Sequence, residues 1–290
     1  MKRPNLPHYH INEKIYDGRN STVYRAVREI DQQPVILKFV KNRTNDPNVL
    51  IRYRREYDII YQLNLDSVIK VYDIENYENT LVLILEDFGG KSLKKILELK
   101  QLITKRALTT AEFLPLAIRL TTSLKEIHAA HIIHRDINPR NIVWNAVTDQ
   151  LKIIDFGLAV ALTSAYSVLK RTTDQPTGTL LYISPEQTGK TAQAIIDYRT
   201  DLYALGATFY ELLSGKPPFD VEDSSELVQH HLHDPPVSVR ELVPEVPEIV
   251  SDIVMKLMAK EIKARYQSAS VLQKDLELCL RRLQFKPTSS

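Results

Sequence analysis

The chain has 290 residues, of which 43% are hydrophobic and 26% are charged. This composition is typical of a folded globular protein and excludes disordered and collagen-like classes. Lys and Arg total 38 against 36 Asp and Glu, a formal net charge of +2. So small a charge predicts neither a nucleic-acid partner nor adhesion to an anionic membrane, and any anion site has to be local.

The cysteine content and the apolar runs bear on the compartment. Cys279 is the single cysteine, so no internal disulfide can form, which favours a reducing environment. Residues 1–10 lack the apolar stretch of a signal peptide. The longest apolar run, at 81–85, is too short to cross a bilayer. We therefore expect a cytoplasmic protein without a membrane partner.

The first part of the chain has the pattern of a β-rich unit. Short runs of β-forming residues occupy positions 21–27, 35–40, 68–74 and 81–85, with Gly, Asp, Asn and Pro between them. One helix interrupts these strands, because residues 50–65 repeat apolar side chains at near-helical spacing. The pattern predicts an α+β unit over residues 1–86.

Beyond residue 92 the apolar period becomes helical. A long amphipathic helix is predicted around 113–127, and a second buried helix around 201–213 is ended by Gly215 and Pro217. Further helices are predicted at 224–231, 248–259 and 268–283. We expect a hinge at 87–92, where Gly89 and Gly90 lie, the alternative being a simple turn. A helical lobe is expected at 93–284 and a tail at 285–290.

Three polar side chains have a spacing that suits phosphoryl transfer. Asp136 and Asn141 lie in the segment His-Arg-Asp-Ile-Asn-Pro-Arg-Asn at 134–141, and Asp155 opens Asp-Phe-Gly at 155–157. Phosphoryl transfer needs neutralisation of the triphosphate charge, a metal on its oxygens and a carboxylate that orients the attacking hydroxyl. In this order the motifs resemble the catalytic domain of eukaryotic-type (Hanks-type) serine/threonine protein kinases.

The resemblance covers residues 9–283. It implies an α+β, bilobal protein kinase fold, with a small β-rich N-lobe containing one main helix and a larger, mainly α-helical C-lobe. It also implies an ATP-dependent and Mg²⁺-dependent enzyme that phosphorylates Ser or Thr of a protein substrate and its own activation segment. Segments 184–189 and 197–201 look like bacterial kinases fused to ATPase and sensor modules, which implies signal transduction with fused or associated domains.

The resemblance also implies the catalytic residues. Asp136 would orient the substrate hydroxyl, the alternative being a capping carboxylate for its loop. Asn141 and Asp155 would ligate magnesium through oxygen, although Asn141 could also be a turn residue. Lys38, on a predicted strand, would neutralise the α and β phosphates, and Glu56 on the predicted helix would hold Lys38 as an ion pair.

A second group of residues would surround the nucleotide. Backbone groups of Glu86 and Phe88 would meet the adenine edge, with Leu85 as the gatekeeper behind it. The predicted nucleotide-binding set comprises Gly18, Ser21, Val23, Ile36, Lys38, Glu86, Phe88 and Val143.

The sequence departs from the family pattern at several positions. Tyr16 and Ser21 replace two glycines of the phosphate-covering loop, and Ile36 adds bulk where alanine is usual. Asn138 replaces a lysine that contacts the moving phosphate, and Arg140 is expected to compensate unless it is only a solvated loop charge. These departures leave a pseudokinase that binds nucleotide without transferring phosphate as the alternative. A small-molecule kinase is disfavoured because such enzymes generally lack an activation segment.

Two segments give opposite indications of whether the substrate hydroxyl belongs to Tyr or to Ser and Thr. Arg140 lies where tyrosine kinases carry an arginine, whereas residues 178–186 resemble a serine/threonine kinase, and we favour Ser and Thr. In the activation segment we predict phosphorylation at Thr172, Thr173 and Thr177, which Arg135 would bind once phosphorylated.

Three contacts that support the loops are also implied. Thr179 would hydrogen-bond to Asp136 and so tie the substrate-binding loop to the catalytic loop. Asp201, opening the predicted helix 201–213, would accept backbone hydrogen bonds from the catalytic loop. Glu186 would pair with Arg265.

Overall fold

Two compact units make up the fold. The computed structural model describes residues 4–18, 20–41, 46–162, 169–170, 179–190 and 195–284. The first unit comprises Met1–Gly90 and Trp144–Gly157, and the second comprises Lys91–Val143 and Leu158–Ser290. Residues 144–157, which the sequence places in the helical lobe, belong to the first unit because Ile153 exchanges backbone hydrogen bonds with Ser67 and Ile69 at 2.8 and 3.2 Å.

The regular elements are numbered here in chain order. The strands are β1 (Tyr9–Asp17), β2 (Ser21–Arg28), β3 (Pro34–Val40), β4 (Val71–Tyr77), β5 (Thr80–Glu86), β6 (Lys91–Ser92), β7 (Ile132–Ile133), β8 (Ile142–Asn145), β9 (Gln150–Ile153), β10 (Val160–Ala161), β11 (Leu169–Lys170) and β12 (Ile195–Ile196). The helices are α1 (Pro47–Leu63), α2 (Leu93–Thr104), α3 (Thr110–Ala129), α4 (Tyr198–Ser214), α5 (Ser224–His233), α6 (Val239–Leu242), α7 (Glu248–Leu257) and α8 (Ala269–Gln284).

The first unit is built on an antiparallel five-stranded sheet with the order β1-β2-β3-β5-β4. Because side chains alternate along a strand, each face of the sheet has its own set. One face forms an apolar core that includes Ala26, Leu37 and Ile84. The register pairs Val23 with Lys38, so Lys38 lies on the opposite face. The strand pattern thus directs an ammonium group away from the apolar core.

Helix α1 carries a carboxylate on its buried side. Asp46 caps its N-terminus by accepting a hydrogen bond from the backbone of Asn48 at 2.9 Å, and Pro47 provides a first residue with preset φ. Asn64, in the left-handed conformation at φ 38°, ends the helix. Glu56 falls among the buried positions of α1, beside Tyr53. A buried glutamate requires a partner, which the candidate site supplies.

Helix α4 is the centre of the second unit, and all of its residues from Thr200 to Leu213 are buried. Asp197 caps its start, and Gly215 ends it at φ 83°. A Cβ at Gly206 would come within 2.6 Å of the Leu257 side chain, so glycine permits the close approach of α7. The helix begins three residues before the predicted start, which places Asp201 inside the first turn rather than at the cap.

The other helices of this unit pack around α4. Phe113 of α3 meets Phe209 of α4 edge to face at 5.1 Å between ring centroids. Helix α8 packs on α3, and α7 packs on α4. Within the described ranges, the helices are all too short or too polar to span a membrane.

Candidate active site

Lys38 connects two carboxylates in the first unit. Its Nζ donates to Oε1 of Glu56 at 2.7 Å and to Oδ1 of Asp155 at 3.1 Å. Lys38 is 7% exposed and Glu56 2%. The predicted ion pair between Lys38 and Glu56 is therefore confirmed, and Asp155 joins it.

The charges of this cluster depend on one another. Burial alone would lower the pKa of Lys38, but the carboxylates of Asp155 and Glu56 outweigh burial and raise it. Burial raises the pKa of Glu56 to about 7, although the Lys38 ammonium opposes this. Lys38 keeps its proton, because it lies between two carboxylates that raise its pKa. The site therefore presents a fixed cation.

The backbone at Asp155 has an uncommon conformation. Its φ of 65° lies in the left-handed region, which non-glycine residues rarely adopt. The next residue, Phe156, is 1% exposed and anchors the turn. A Cβ at Gly157 would lie 3.3 Å from Oδ1 of Asp155 and 3.5 Å from Oε2 of Glu56. Glycine therefore leaves space beside the two carboxylates, and the Asp155 side chain stays 43% exposed.

In the second unit both carboxylate oxygens of Asp136 are held. The backbone amide of Thr179 donates to Oδ1 at 2.8 Å, and the side-chain amide of Asn141 donates to Oδ2 at 2.9 Å. The same Asn141 nitrogen donates to the Asp136 carbonyl at 2.9 Å. The predicted contact between Thr179 and Asp136 is confirmed, and it uses the backbone of Thr179. Two donors fix the orientation of the Asp136 carboxylate.

Asp201 supports the loop that carries Asp136. Its Oδ2 accepts from the backbone of His134 and from Nε2 of His128, both at 2.9 Å. Its Oδ1 accepts from the backbone of Arg135 at 2.7 Å, and Arg135 has a left-handed φ of 67°. The predicted bonds from the catalytic loop to Asp201 are confirmed. Burial would raise the pKa of Asp201. The hydrogen bonds from the His128 side chain and the His134 backbone outweigh burial and hold this pKa below the ordinary value of 3.8.

Replacement of Asp201 by Asn is expected to destabilise the fold by about 1–3 kcal/mol, because an amide nitrogen would face one of three donors in a buried site. The folded-state pKa of Asp201 is lowered, so its contribution is present at neutral pH and is lost as the pH falls below 3.8 toward the folded value. Urea unfolding of both proteins across the acid range measures this. A stability difference that stays constant down to the lowest pH would contradict it.

Asn138 is an internal support of the catalytic loop. Its side-chain nitrogen donates to the Asp136 carbonyl at 3.0 Å and to Oγ1 of Thr179 at 3.4 Å. Its Oδ1 accepts from the backbone of Arg140 at 2.9 Å. Asn138 is 1% exposed, whereas Arg140 is exposed. Across the described residues, the Arg140 guanidinium has neither a hydrogen bond nor an ion pair.

The predicted adenine-facing segment ends strand β5. Its Glu86 amide donates to the Lys70 carbonyl at 3.0 Å, so that amide is already used within the unit. The Glu86 carboxylate pairs with Lys152 at 3.1 Å. The carbonyl of Phe88 accepts from the Asn145 side chain at 2.6 Å. Asn145 thus fixes the segment after β5, a contact that no sequence pattern indicated.

The other predicted nucleotide residues follow the strand register. Val23 and Ile36 lie on the Lys38 face of the sheet, and Ile36 pairs with Leu85. Val143, in strand β8, belongs to the second unit and is half-buried.

The turn between β1 and β2 is covered by an aromatic ring. A Cβ at Gly18 would collide with the Tyr16 side chain, so the Tyr16 ring lies against the glycine. The Gly18 amide donates to the Ser21 carbonyl at 2.9 Å. Lys41 donates to the Gly18 carbonyl at 2.7 Å and pairs with Asp17. Gly18 is therefore tied to Ser21, in strand β2, and to Lys41, which follows β3.

The predicted pair of Glu186 and Arg265 is confirmed as a bidentate ion pair. Nη1 and Nη2 of Arg265 donate to the two Glu186 oxygens at 2.8 and 2.9 Å. Arg265 also donates to the Ala259 and Lys260 carbonyls at 2.7 and 3.0 Å. The Thr200 hydroxyl adds a bond to Glu186 at 2.8 Å.

A buried triad beside the catalytic loop was not predicted from the sequence. Glu211 accepts from Lys94 at 2.6 Å through one oxygen and from the Tyr182 hydroxyl through the other. Its members come from three separated segments, and their spacing carries no signature. The predicted phosphorylation sites Thr172, Thr173 and Thr177 lie outside the described residues.

Known protein kinases are similar to this chain over most of its length. A family model described as the protein kinase domain matches residues 9–276. A probable serine/threonine-protein kinase of Clostridium acetobutylicum is 30% identical over 272 residues, covering 92% of this chain and 39% of that protein. The serine/threonine-protein kinases PrkC of Bacillus subtilis and PknB of Mycobacterium leprae are also 30% identical, over 93% and 92% of this chain and 40% and 42% of their own lengths.

This chain therefore spans about two fifths of the length of the relatives that it matches. The family match extends over most of the chain and includes the segments that hold Lys38, Asp136 and Asp155. The chain belongs to the protein kinase domain family.

Proposed function

We propose that this domain transfers the γ-phosphate of ATP to Ser or Thr hydroxyls of a protein substrate. The observation that carries the proposal is the Asp136 carboxylate, which Thr179 and Asn141 hold in one orientation. A carboxylate oriented in this way suits the alignment of an attacking hydroxyl and the acceptance of its proton. The named relatives, all serine/threonine-protein kinases, support the choice of hydroxyl.

The residues present fit a magnesium–nucleotide complex. Asn141 directs its amide nitrogen at Asp136, and its Oδ1 accepts no hydrogen bond within the described part of the chain. Asp155 keeps a partly exposed carboxylate. Amide and carboxylate oxygens are the donors that Mg²⁺ takes in phosphoryl-transfer sites. Bound Mg²⁺ would neutralise phosphate charge, and Asn141 and Asp155 are the residues proposed to hold it.

Each protein group then has a defined task. The Lys38 ammonium, kept protonated by two carboxylates, would offset phosphate charge at a fixed position. Asp136 would orient the substrate hydroxyl and accept its proton as the oxygen bonds to phosphorus and the bond to the leaving diphosphate breaks. Val23 and Ile36 would cover the adenine from the Lys38 face of the sheet. Asn138 is neutral and holds the catalytic loop. Arg140 would therefore offset the negative charge of the moving phosphate.

The test is transfer of labelled γ-phosphate from ATP with Mg²⁺ to a mixed protein substrate, followed by identification of the modified amino acid. We expect phosphoserine or phosphothreonine with the wild type and loss of nearly all incorporation with Asp155→Asn. Asp252→Asn on helix α7, an exposed position, is the matched control and should retain activity. Magnesium-dependent ATP binding without transfer would overturn the proposal and favour a pseudokinase.

The setting of the domain is a further part of the proposal. We also propose a cytoplasmic position, in line with the single cysteine. A role in signal transduction, with further domains in the same protein, is consistent with relatives that are more than twice as long as this chain. The proposed reaction also requires a protein substrate as the partner that receives the phosphate.

A further inference from the structure

The carboxylate next to the substrate-binding segment is already neutralised. Glu211 is fully buried, and both of its oxygens are engaged, one by Lys94 and one by Tyr182. Tyr182 belongs to the segment that starts at Thr179 and leads away from Asp136. Burial and the Glu211 carboxylate raise the pKa of Tyr182, so its proton stays in the bond to Glu211. A substrate cation therefore finds no acceptor at Glu211.

Arg140, four residues after Asp136 in the catalytic loop, is an exposed cation. The backbone amide of Lys94 donates to the Pro139 carbonyl at 2.8 Å, which attaches the start of α2 to the catalytic loop next to Arg140. Strand β6, which contains Lys91, pairs with β8, which starts at Ile142 two residues after Arg140. Lys91, just before α2, is exposed like Arg140.

These cations are available to a ligand. Neither Lys91 nor Arg140 has an ion-pair partner among the residues that the structure describes, and Lys95 reaches Glu98 only at 3.7 Å. An arginine or lysine that lies exposed and unpaired beside a reactive carboxylate is suited to bind carboxylate or phosphate groups. Like charges in a substrate would be repelled, which adds to the selection.

We propose that Lys91 and Arg140 form a basic subsite, next to Asp136, that selects protein segments with acidic side chains near the phosphorylated hydroxyl. The inference rests on the proposed kinase function and narrows its substrate class. Lys94 contributes indirectly, because it neutralises Glu211, a buried carboxylate that would otherwise attract a basic segment.

The test compares three threonine peptides of equal length whose flanking residues are Glu and Asp, Ala, or Lys and Arg. Exposed ion pairs are each worth a factor of up to about five, so we expect kcat/KM to favour the acidic over the basic peptide by roughly tenfold at low ionic strength. The preference should shrink as salt is added.

The variant Lys91→Glu should reduce the acidic-to-basic ratio several-fold. Lys105→Glu is the matched control, because it makes the same charge change at the far end of α2, about 20 Å away, and should leave the ratio unchanged. Arg140→Glu should lower the acidic-to-basic ratio as well. Because both peptides are measured with the same variant, a loss of kcat that affects both cancels in this ratio.

The outcomes separate the two proposals. No transfer to any peptide or to mixed protein substrates would overturn the kinase function and this inference together. Transfer at equal rates to acidic and basic peptides, or a ratio that Lys91→Glu does not change, would overturn the inference alone. Arg140→Glu should also lower kcat for every peptide, because Arg140 is proposed to contact the moving phosphate as well; an unchanged acidic-to-basic ratio in this variant would overturn its part in the subsite.

Discussion

Replacement of Asp136 by Asn is expected to lower kcat by about 10²- to 10⁴-fold, the range that a positioned general base contributes. The amide cannot accept the hydroxyl proton, and its nitrogen would face a donor, either from Thr179 or from Asn141. Lys38 and Glu56 are untouched, so the affinity for ATP should change little. Steady-state kinetics with a threonine peptide, together with an ATP-binding isotherm, measure both quantities.

Asp220→Asn provides the control for this change, because Asp220 is exposed and has no hydrogen-bond partner in the described residues. Its kcat should equal that of the wild type. If Asp136→Asn kept kcat within about threefold of the wild type, Asp136 would be a structural cap of its loop and the proposed mechanism would be wrong.

Replacement of Arg265 by Ala is expected to destabilise the fold by about 3–5 kcal/mol, because it leaves the Glu186 carboxylate charged in a buried site. The Arg265 side chain is 0% exposed and also satisfies the carbonyls of Ala259 and Lys260. Thermal or urea unfolding measures the loss.

Two further variants isolate the cause. Arg240→Ala removes a comparable pair on the surface, where Arg240 and Glu248 are 51% and 77% exposed, and should cost no more than about 1 kcal/mol. The double variant Glu186→Gln with Arg265→Met should recover a large part of the loss, because no buried charge is left without a partner. Equal losses for the single and double variants would assign the effect to packing instead.

Strong local patterns decided which elements could be predicted from the sequence. Strands β2, β3 and β5 and helices α5, α7 and α8 lie within a few residues of their predicted positions. The strands are short runs of β-forming residues, and the buried residues of the helices recur at helical spacing. Strand β1 was not predicted. Only Ile11 among its nine residues is buried, and two irregularities interrupt its pairing with β2, so no alternation remains to be detected.

The candidate site divides in the same way. Lys38, Asp136 and Asp155 could be assigned because they stand in short contiguous motifs. The contacts of Asn145 with Phe88 and of Lys94 with Glu211 join residues that are 57 and 117 positions apart. A single sequence contains no signal for such pairs, because they arise from how the elements pack.

The departure at Asn138 has a different meaning in three dimensions. In the sequence it is a missing lysine, which counts against activity. In the fold its side-chain amide makes three hydrogen bonds, to Asp136, Thr179 and Arg140. Asn138 thus lacks the charge of a lysine but ties the catalytic loop together, and Arg140 is an exposed cation in the same loop.

The most direct test of the central claim is the mass of a threonine peptide after incubation with the purified chain, ATP and Mg²⁺. We expect a peptide heavier by one phosphoryl group, formed by the wild type and by Asp220→Asn but at most at trace level by Asp136→Asn. An unmodified peptide in every reaction, with ATP bound normally, would contradict the claim that this domain is a phosphotransferase.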